Sequence, residues 1–450
     1  MSDIIKIKEG LDIHLQGEAE KTVESISCKR YAMKPTDFVG IKFPKLMVKE
    51  GVEVKVGTPL FFDKHRENIQ ITSPVSGVVT EINRGAKRKL LEIIIESNEK
   101  FEAIDFGAAN PNDLSSGEVI EKMLKSGVWP MMRQRPYSVI ANPDDKPKAI
   151  FISCFDSAPL AQDNDLIVHG EGKIFQTGLD AISKLTEGKV HLGLKAEDGA
   201  SKVFLNSKGV ELHYFSGPHP AGNVGVQINR VDPINKGDVV WYLYPQDIIA
   251  IGRLFSEGKY NSERIVALAG AEVNKPHYFK THIGASIEEM VEKNVKEGHL
   301  RYISGNVLTG TTIKNNGFIS FYDSLVTVIL EGDEFEFLGW ALPGLKKFSV
   351  SHTFISWLTP KKKHRLDTNL HGGKRAYVMT GEYEKVFPLD IMPVQLIKAI
   401  MIEDIDLMEN LGIYEVDEED FALAEVICTS KINVQSVVRK GLDLMREEMG

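Results

Sequence analysis

Cysteine is scarce: the 450 residues hold three, Cys28, Cys154 and Cys428, and none forms a Cys-x-x-Cys pair. A disulfide framework or a zinc knuckle needs clustered cysteines, and an iron–sulfur cluster normally needs about four thiolates. The chain on its own is therefore expected to carry none of these, and the usage suits a reducing cytoplasm. Long apolar runs are missing too. No uncharged apolar stretch approaches the ~18 residues of a spanning helix, and the opening MSDIIKIKEG lacks the apolar core of a signal peptide. Positive charge is in deficit: 54 Lys and Arg against 63 Asp and Glu leave a net charge of −9. That balance argues against sequence-independent nucleic-acid binding, which needs clustered cations. The most basic short run, KKKHR at 361–365, reads as a solvated loop, or else as a contact to lipid headgroups or an acidic partner.

What is present is ordinary globular composition, 42% hydrophobic and 26% charged, long enough for roughly two to four domains. Residues 38–97 read as short strands: FPKLMVKEGVEVKVGTPLFF alternates apolar and polar positions with Gly51 and Gly57 at turns, and IQITSPVSGVVTEINRG and KLLEIIIES continue the pattern. Two near-symmetric halves predict a flattened barrel-sandwich over 1–105, resembling the biotinyl/lipoyl carriers. Those carriers load a lysine at a hairpin tip, in biotin carriers within Met-Lys-Met. The tip here is DKHREN, so Lys64 is present without its methionines and is expected to stay unmodified.

From 106 to 258 the pattern is α/β. Ser115 and Glu118 form a capping box for a helix ending at Gly127. KAIFISCF reads as a buried strand, LDAISKLTEG as a helix ending at Gly188, and KVHLGLK and GVELHYFSG as strands, which predicts a three-layer, Rossmann-like domain. No Gly-x-Gly-x-x-Gly follows its first strand, so the dinucleotide fingerprint is absent. Over 259–345, ERIVALAGAEVNKPHYFKTHIGASIEEMVEKN reads as strand, turn, strand and a helix capped by Ser286 and Glu289. That is the opening of a β-grasp, ubiquitin-like unit, with further strands as far as DEFEFLGWALPG. The remainder, 346–450, is mostly helical. Pro393 opens VQLIKAIMIEDIDLMENLG, and DEEDFALAEVICT and VQSVVRKGLDLMREEM complete a small bundle.

One stretch resists a plain structural reading. FSGPHPAGNVGVQINRVDP, 215–233, sets His219 among glycine and proline breakers, with His213 just upstream; only VGVQI reads as a strand. A metal site would need three or four ligands, and no carboxylate nearer than Asp232 suggests itself, so no metal ligand is assigned. The N–H groups of Ala221-Gly222-Asn223 could cradle a phosphate, but no helix is predicted behind them. A structural turn at a partner or ligand surface is the third reading.

Eight blocks occur in order along nearly the whole chain: IKEGLDIHLQG, SPVSGVVTEINRG, RQRPYS, FSGPHPAGNVG, YPQDIIAIGRLF, VALAGAEV, YISGNVLTGT and FPLDIMP. Together they resemble the A subunits of the sodium-translocating NADH:quinone reductases. The resemblance implies a peripheral subunit on the cytoplasmic side of the bacterial inner membrane, in a six-subunit complex. That complex passes electrons from NADH to ubiquinone or another quinone and exports Na+. The implied partners are the other subunits, with the membrane surface reached through them. NADH, flavins, iron–sulfur centres and Na+ are implied to belong to the complex, with no cofactor bound by this chain.

The domain order is also similar to that of two further proteins, the flavin- and NADH-binding subunit of complex I and the C subunit of the Rnf complex. Those cousins carry a glycine-rich flavin and nucleotide loop and C-terminal Cys-x-x-Cys runs. Here the matching regions read SGVWPMMRQRPYS, where Trp129 and Pro130 block backbone approach to a phosphate, and ICTSKINVQ, with Cys428 alone. A quinone headgroup wants a flat aromatic neighbour and donors to its carbonyls. On that chemistry Arg135, Tyr137, His213 and His219 are the candidate quinone contacts, and no catalytic residue is assigned. The alternatives are an assembly subunit without a ligand and, less favoured, a flavin-dependent NADH dehydrogenase.

Overall fold

The computed structural model describes residues 4–196, 199–332, 343–344, 347–359 and 362–449. The strand expected at DEFEFLGWALPG falls largely on 333–342, outside the described residues. Near the N-terminus, two small antiparallel sheets face each other. One runs Arg30–Met33, Leu90–Ser97, Gly77–Arg84, Glu53–Val54, and the other Pro44–Leu46, Pro59–Asp63, Arg66–Thr72. Leu60, Phe61, Ile71, Val79, Ile93 and Ile95 fill the space between them. Lys64 lies at the tip of the hairpin joining Pro59–Asp63 to Arg66–Thr72.

Residues 4–25 leave this sandwich. Ile4–Lys6 pairs parallel with Glu211–Ser216, and Glu20–Ser25 pairs parallel with His277–His282. Each covers a sheet edge that would otherwise present unpaired backbone groups. Local alternation shows that such a segment is extended but not which distant strand it joins.

The central sheet has seven strands. In spatial order they are Ile4–Lys6, Glu211–Ser216, Lys189–Lys195, Ala149–Ser153, Val240–Leu243, Arg133–Arg135 and Val139–Ile140. The first five run parallel, and the last two close the edge antiparallel. Ala149–Ser153 is buried at every position because both faces of the sheet are covered. Ile150 and Ile152 join one core with Phe175, Leu179, Ile248 and Ile251. Ala149 and Phe151 join the other with Val226, Ile228 and the C-terminal Leu396, Val438 and Met445. The C-terminal helices are thus the third layer of this sheet.

On the first face, the helices Gly172–Ser183 and Pro245–Glu257 touch through glycine. A Cβ on Gly178 would sit 2.2 Å from the Ile248 carbonyl oxygen, and one on Gly252 would sit 2.0 Å from that of Ile174. Backbone atoms cannot yield as a side-chain tip can. Gly178→Ala is therefore expected to destabilise the chain by about 2 kcal/mol, as overpacking does, and a denaturant midpoint unchanged from wild type would contradict this contact.

Several local expectations are corrected. The helix expected to end at Gly188 spans Gly172–Ser183, and Gly188 instead lets the chain pass the Lys148 carbonyl, 1.8 Å from where its Cβ would be. VGVQI is helical: Val224–Val231 forms a helix with Asn223 at its N-cap. Val224, Val226 and Ile228 are β-branched and alternate with Gly225 and Gln227, which reads locally as a strand although all five are buried in the helix. The helix expected after Pro393 breaks into Pro393–Met401 and Ile405–Asn410, the second capped by the Asp404 side chain. Ser286 does accept from the Glu288 N–H, at 3.2 Å. Glu289, however, accepts from Lys29 N–H at 3.0 Å instead of closing a capping box.

A six-stranded sheet, in the order Thr311–Ile313, Leu300–Ser304, Leu325–Leu330, Glu263–Ala269, His277–His282 and Glu20–Ser25, carries the short helix Glu288–Val291. Among the described residues no helix is long and apolar enough to cross a membrane.

Candidate functional site

The loops that leave the C-terminal ends of parallel strands are where α/β sheets bind ligands. Here they are the segment after Ser153, the His-Pro-Ala-Gly loop after Ser216, and Tyr244 after Leu243. His219 is 4% exposed. Its Nδ1 lies 3.0 Å from Ser157 Oγ, its N–H donates to Asp12 Oδ1 at 2.9 Å, and its carbonyl accepts from Leu11. Burial lowers its pKa to about 4, so the ring is neutral at neutral pH. The amides of Ala221, Gly222 and Asn223 donate to Pro218, to Ser157 Oγ and to Pro220. A helix does begin behind them, but the loop has already used the donors a phosphate would want. Asp156, beside Ser157, is held above the usual carboxylate range by burial.

Arg135 lies elsewhere. Its strand pairs antiparallel with Val240–Leu243 and sets Arg135 opposite Val240, which in turn pairs with Ala149 at the start of its strand. Arg135 and Tyr137 thus leave the sheet at the edge opposite the His219 loop. The Arg135 side chain is 0% exposed and enters the turn DEED, 417–420. Its Nη1 bonds Asp420 Oδ2 at 2.8 Å, its Nη2 bonds Glu419 Oε1 at 2.7 Å, and Asp417 is 3.8 Å away. The sequence showed no carboxylate near Arg135, because its partners lie some 280 residues downstream. Gly225 makes the room: a Cβ there would stand 2.3 Å from Arg135 Nη1.

Arg439 completes the cluster, with Glu418 at 2.9 Å and the Tyr137 carbonyl at 2.9 Å. Burial raises Asp417, but Arg135 and Arg439 outweigh it and hold that carboxyl at about 2. Glu418 and Glu419 are pushed up instead, first by burial and then by neighbouring carboxylates, so the cluster shares protons as well as charge.

Tyr137 packs edge-on against Tyr414, ring centroids 6.3 Å apart. His213 sits on the central sheet, its Nε2 2.9 Å from His191 Nδ1. Among the described residues no hydrogen bond, ion pair or ring contact joins any two of Arg135, Tyr137, His213 and His219. The absence of a carboxylate near His213 is corrected as well. Glu211, two residues earlier on the same strand, points to the same face, and His191, Glu211 and His213 bring one ligand atom each within 4.8 Å of one another.

Arg133, two residues before Arg135, is the group that sequence reasoning passed over. Its guanidinium carbon lies 4.4 Å from the Tyr322 ring centroid, 4.6 Å from Tyr242 and 5.5 Å from Tyr244. It makes no ion pair among the described residues and remains partly exposed. The signal in RQRPYS was the i, i+2 spacing, which puts both arginines on one face of the strand. Which one would be neutralised depended on the distant DEED turn. Arg133 and Tyr244 together present a guanidinium and aromatic faces at the sheet edge that bears Asp156, Ser157 and His219. Such a set can hold a flat, polar-edged ring by stacking and by donation to its oxygens.

Comparison with known proteins covers the same ground. Residues 5–98 match a family described as the NqrA N-terminal barrel-sandwich hybrid domain, 114–260 the NqrA second alpha/beta domain, and 265–315 the NQRA C-terminal domain. Over 449 residues, 99% of this chain, the sequence is 38% identical to the full length of the A subunit of the Na(+)-translocating NADH-quinone reductase of Yersinia pestis bv. Antiqua. It is 38% identical to that of Photorhabdus laumondii and 37% identical to that of Hahella chejuensis over the same span. Among solved structures, an NAD+-reducing [NiFe]-hydrogenase aligns at 10% identity with a TM-score of 0.41, covering 76% of this chain and 62% of the other.

Proposed function

Because the chain belongs to the family of A subunits of the Na+-translocating NADH-quinone reductases, we propose that it supplies part of the site where that complex reduces its quinone. The other subunits of the complex are its partners. The observation that carries the reading is Arg133, a partly exposed guanidinium with no ion pair among the described residues, set among Tyr242, Tyr244 and Tyr322 at the edge that bears His219. A quinone ring placed there stacks on tyrosine and takes hydrogen bonds at a carbonyl from Arg133. Reduction needs two electrons from the rest of the complex and about two protons per quinone. Asp156, whose carboxyl burial holds above the usual carboxylate range, is the acidic group next to that edge that can relay a proton.

Of the four candidate contacts named from the sequence, His219 stays at the headgroup, and Arg135 anchors the adjoining turn. Tyr137 and His213 stand further off. The finer picture has a carrier-like sandwich without a loaded Lys64, a Rossmann-like sheet stripped of its phosphate loop, a β-grasp unit and a helical bundle. The chain sits peripherally on the cytoplasmic side of a six-subunit assembly, with NADH, flavins, iron–sulfur centres and Na+ handled by its partners. The commitment of both Arg135 Nη atoms and of the loop amides to internal bonds favours one rival, an assembly role without a ligand.

The test is titration of the full chain, and of the assembled complex, with a short-chain ubiquinone. Headgroup affinity is modest, because most of the affinity of a long-tailed quinone comes from burying its tail. Arg133→Gln and His219→Asn are each expected to weaken binding about two- to twelvefold, the worth of one hydrogen bond, while Tyr137→Phe leaves it unchanged. Equal affinity in all three variants and wild type moves the headgroup elsewhere. No binding in any, with full activity of complexes rebuilt from the variants, leaves the assembly role.

A further inference from the structure

The central sheet carries a second cluster that the quinone reading does not use. His191 is opposite Phe151 on one side and Glu211 on the other, in register across three parallel strands, so all three side chains leave the same face. His213 follows Glu211 by two residues and shares that face. His191 Nδ1 lies 2.9 Å from His213 Nε2 and 3.8 Å from Glu211 Oε2. A tetrahedral ion with bonds of about 2.0–2.1 Å keeps its ligand atoms about 3.3 Å apart, and the two observed separations straddle that spacing.

The surroundings suit a ligand set. The His191 ring is 6% exposed and stacks on Phe151, centroids 4.5 Å apart, which fixes its plane. Lys189 holds the far oxygen Oε1 of Glu211 at 3.2 Å and leaves Oε2 turned to the histidines. Asp232 adds negative charge toward His191. A further acceptor borders the group. Gln227 is 1% exposed, and its Oε1 has no hydrogen-bond partner among the described residues. It lies 2.0 Å from where a Cβ on Gly193, the register partner of His213, would stand.

We propose that His191, Glu211 and His213 form a binding site for a divalent cation of the Zn2+ class, clamping two neighbouring strands and leaving a coordination position open. Two histidines and a carboxylate are a common three-ligand set for such an ion. Glu211 is half-exposed, which gives the ion a way in.

The experiment uses the full chain without a polyhistidine tag, stripped with a chelator and then titrated with Zn2+ by calorimetry and with Co2+ by visible absorption. The expected result is one ion per chain with Kd below about 1 μM, and tetrahedral Co2+ bands that Zn2+ displaces. His213→Ala is expected to weaken Zn2+ at least about 100-fold. Glu211→Gln, at a partly exposed position that folding tolerates, is expected to weaken it about tenfold or more. Absence of stoichiometric binding by the wild-type chain, or equal affinity in folded Glu211→Gln and His213→Ala, overturns the site and leaves a plain histidine–histidine hydrogen bond.

Discussion

Arg135→Met is expected to cost the folded chain about 3–5 kcal/mol, the usual penalty for removing one partner of a buried ion cluster. The substitution roughly keeps the volume, so the loss is electrostatic. It strands Asp417, Glu419 and Asp420 around an uncharged side chain, and among the described residues only Arg439 remains to pair with Asp417. Because Arg135 joins the strand Arg133–Arg135 to the DEED turn, the damage falls first on the docking of the C-terminal helices. The readouts are denaturant unfolding and limited proteolysis, with thermal unfolding expected about 10 °C lower at 2–4 °C per kcal/mol for a unit of this size. Arg135→Lys keeps the charge but loses the two-pronged grip and is expected to fall between. The penalty is also expected to shrink as pH drops from 7 toward 5, where the stranded carboxyls take up protons. A variant within 2 °C of wild type, with unchanged proteolysis, would falsify the assignment of this cluster as the tie between sheet and bundle.

Replacing His219 with Asn is expected to change how stability depends on acid. In the unfolded chain this imidazole titrates near its ordinary 6.5, and in the folded chain burial moves it to about 4. Between those values the unfolded state binds a proton that the folded state refuses, so stability is fully present above 6.5 and is lost as pH falls toward 4. At about 1.4 kcal/mol per pH unit, the window amounts to about 3 kcal/mol. Other groups act in the same range. His282, also at about 4 through burial, adds a similar acid sensitivity. Glu419, raised to about 7, acts the other way, because its folded form takes up a proton first. The difference between wild type and His219→Asn isolates the one residue, and Asn can still meet Ser157. The measurement is the denaturation free energy of both proteins at intervals from pH 4 to 7.5. Wild type is expected to lose about 3 kcal/mol relative to the variant across the window. Parallel curves would mean that His219 is solvated in the folded chain and that its loop opens.

How legible the fold was depended on whether the deciding contacts were local. The capping box of Ser115 and Glu118, the αL end at Gly127 and the strand Lys189–Lys195 all came out as expected. Each is settled by residues within a turn of itself. The helix Val224–Val231 did not, because its β-branched Val224, Val226 and Ile228 alternate with Gly225 and Gln227 right after a loop of glycine and proline breakers, a local pattern that reads as a strand. Strands Ile4–Lys6 and Glu20–Ser25 look like any extended segment, and only the open edges of distant sheets give them a home.

The candidate site divides in the same way. By itself the sequence determined the family, the layered α/β plan, the lack of a glycine phosphate loop and of clustered thiols, and the presence of arginine and histidine in the loops of the central domain. Those are properties of residue type and near neighbours, and a linear pattern carries them. Tertiary structure alone decided which of two arginines on one strand face is spent and which is left open. The DEED turn, brought in by the C-terminal helices, neutralises Arg135, while Arg133 two residues away sits among tyrosine rings. It likewise decided that His213 belongs with His191 and Glu211 and that His219 belongs with Ser157. The physical reason is that charge pairing and desolvation act over a few ångströms of space, and the partners that supply them here lie on other strands and other domains.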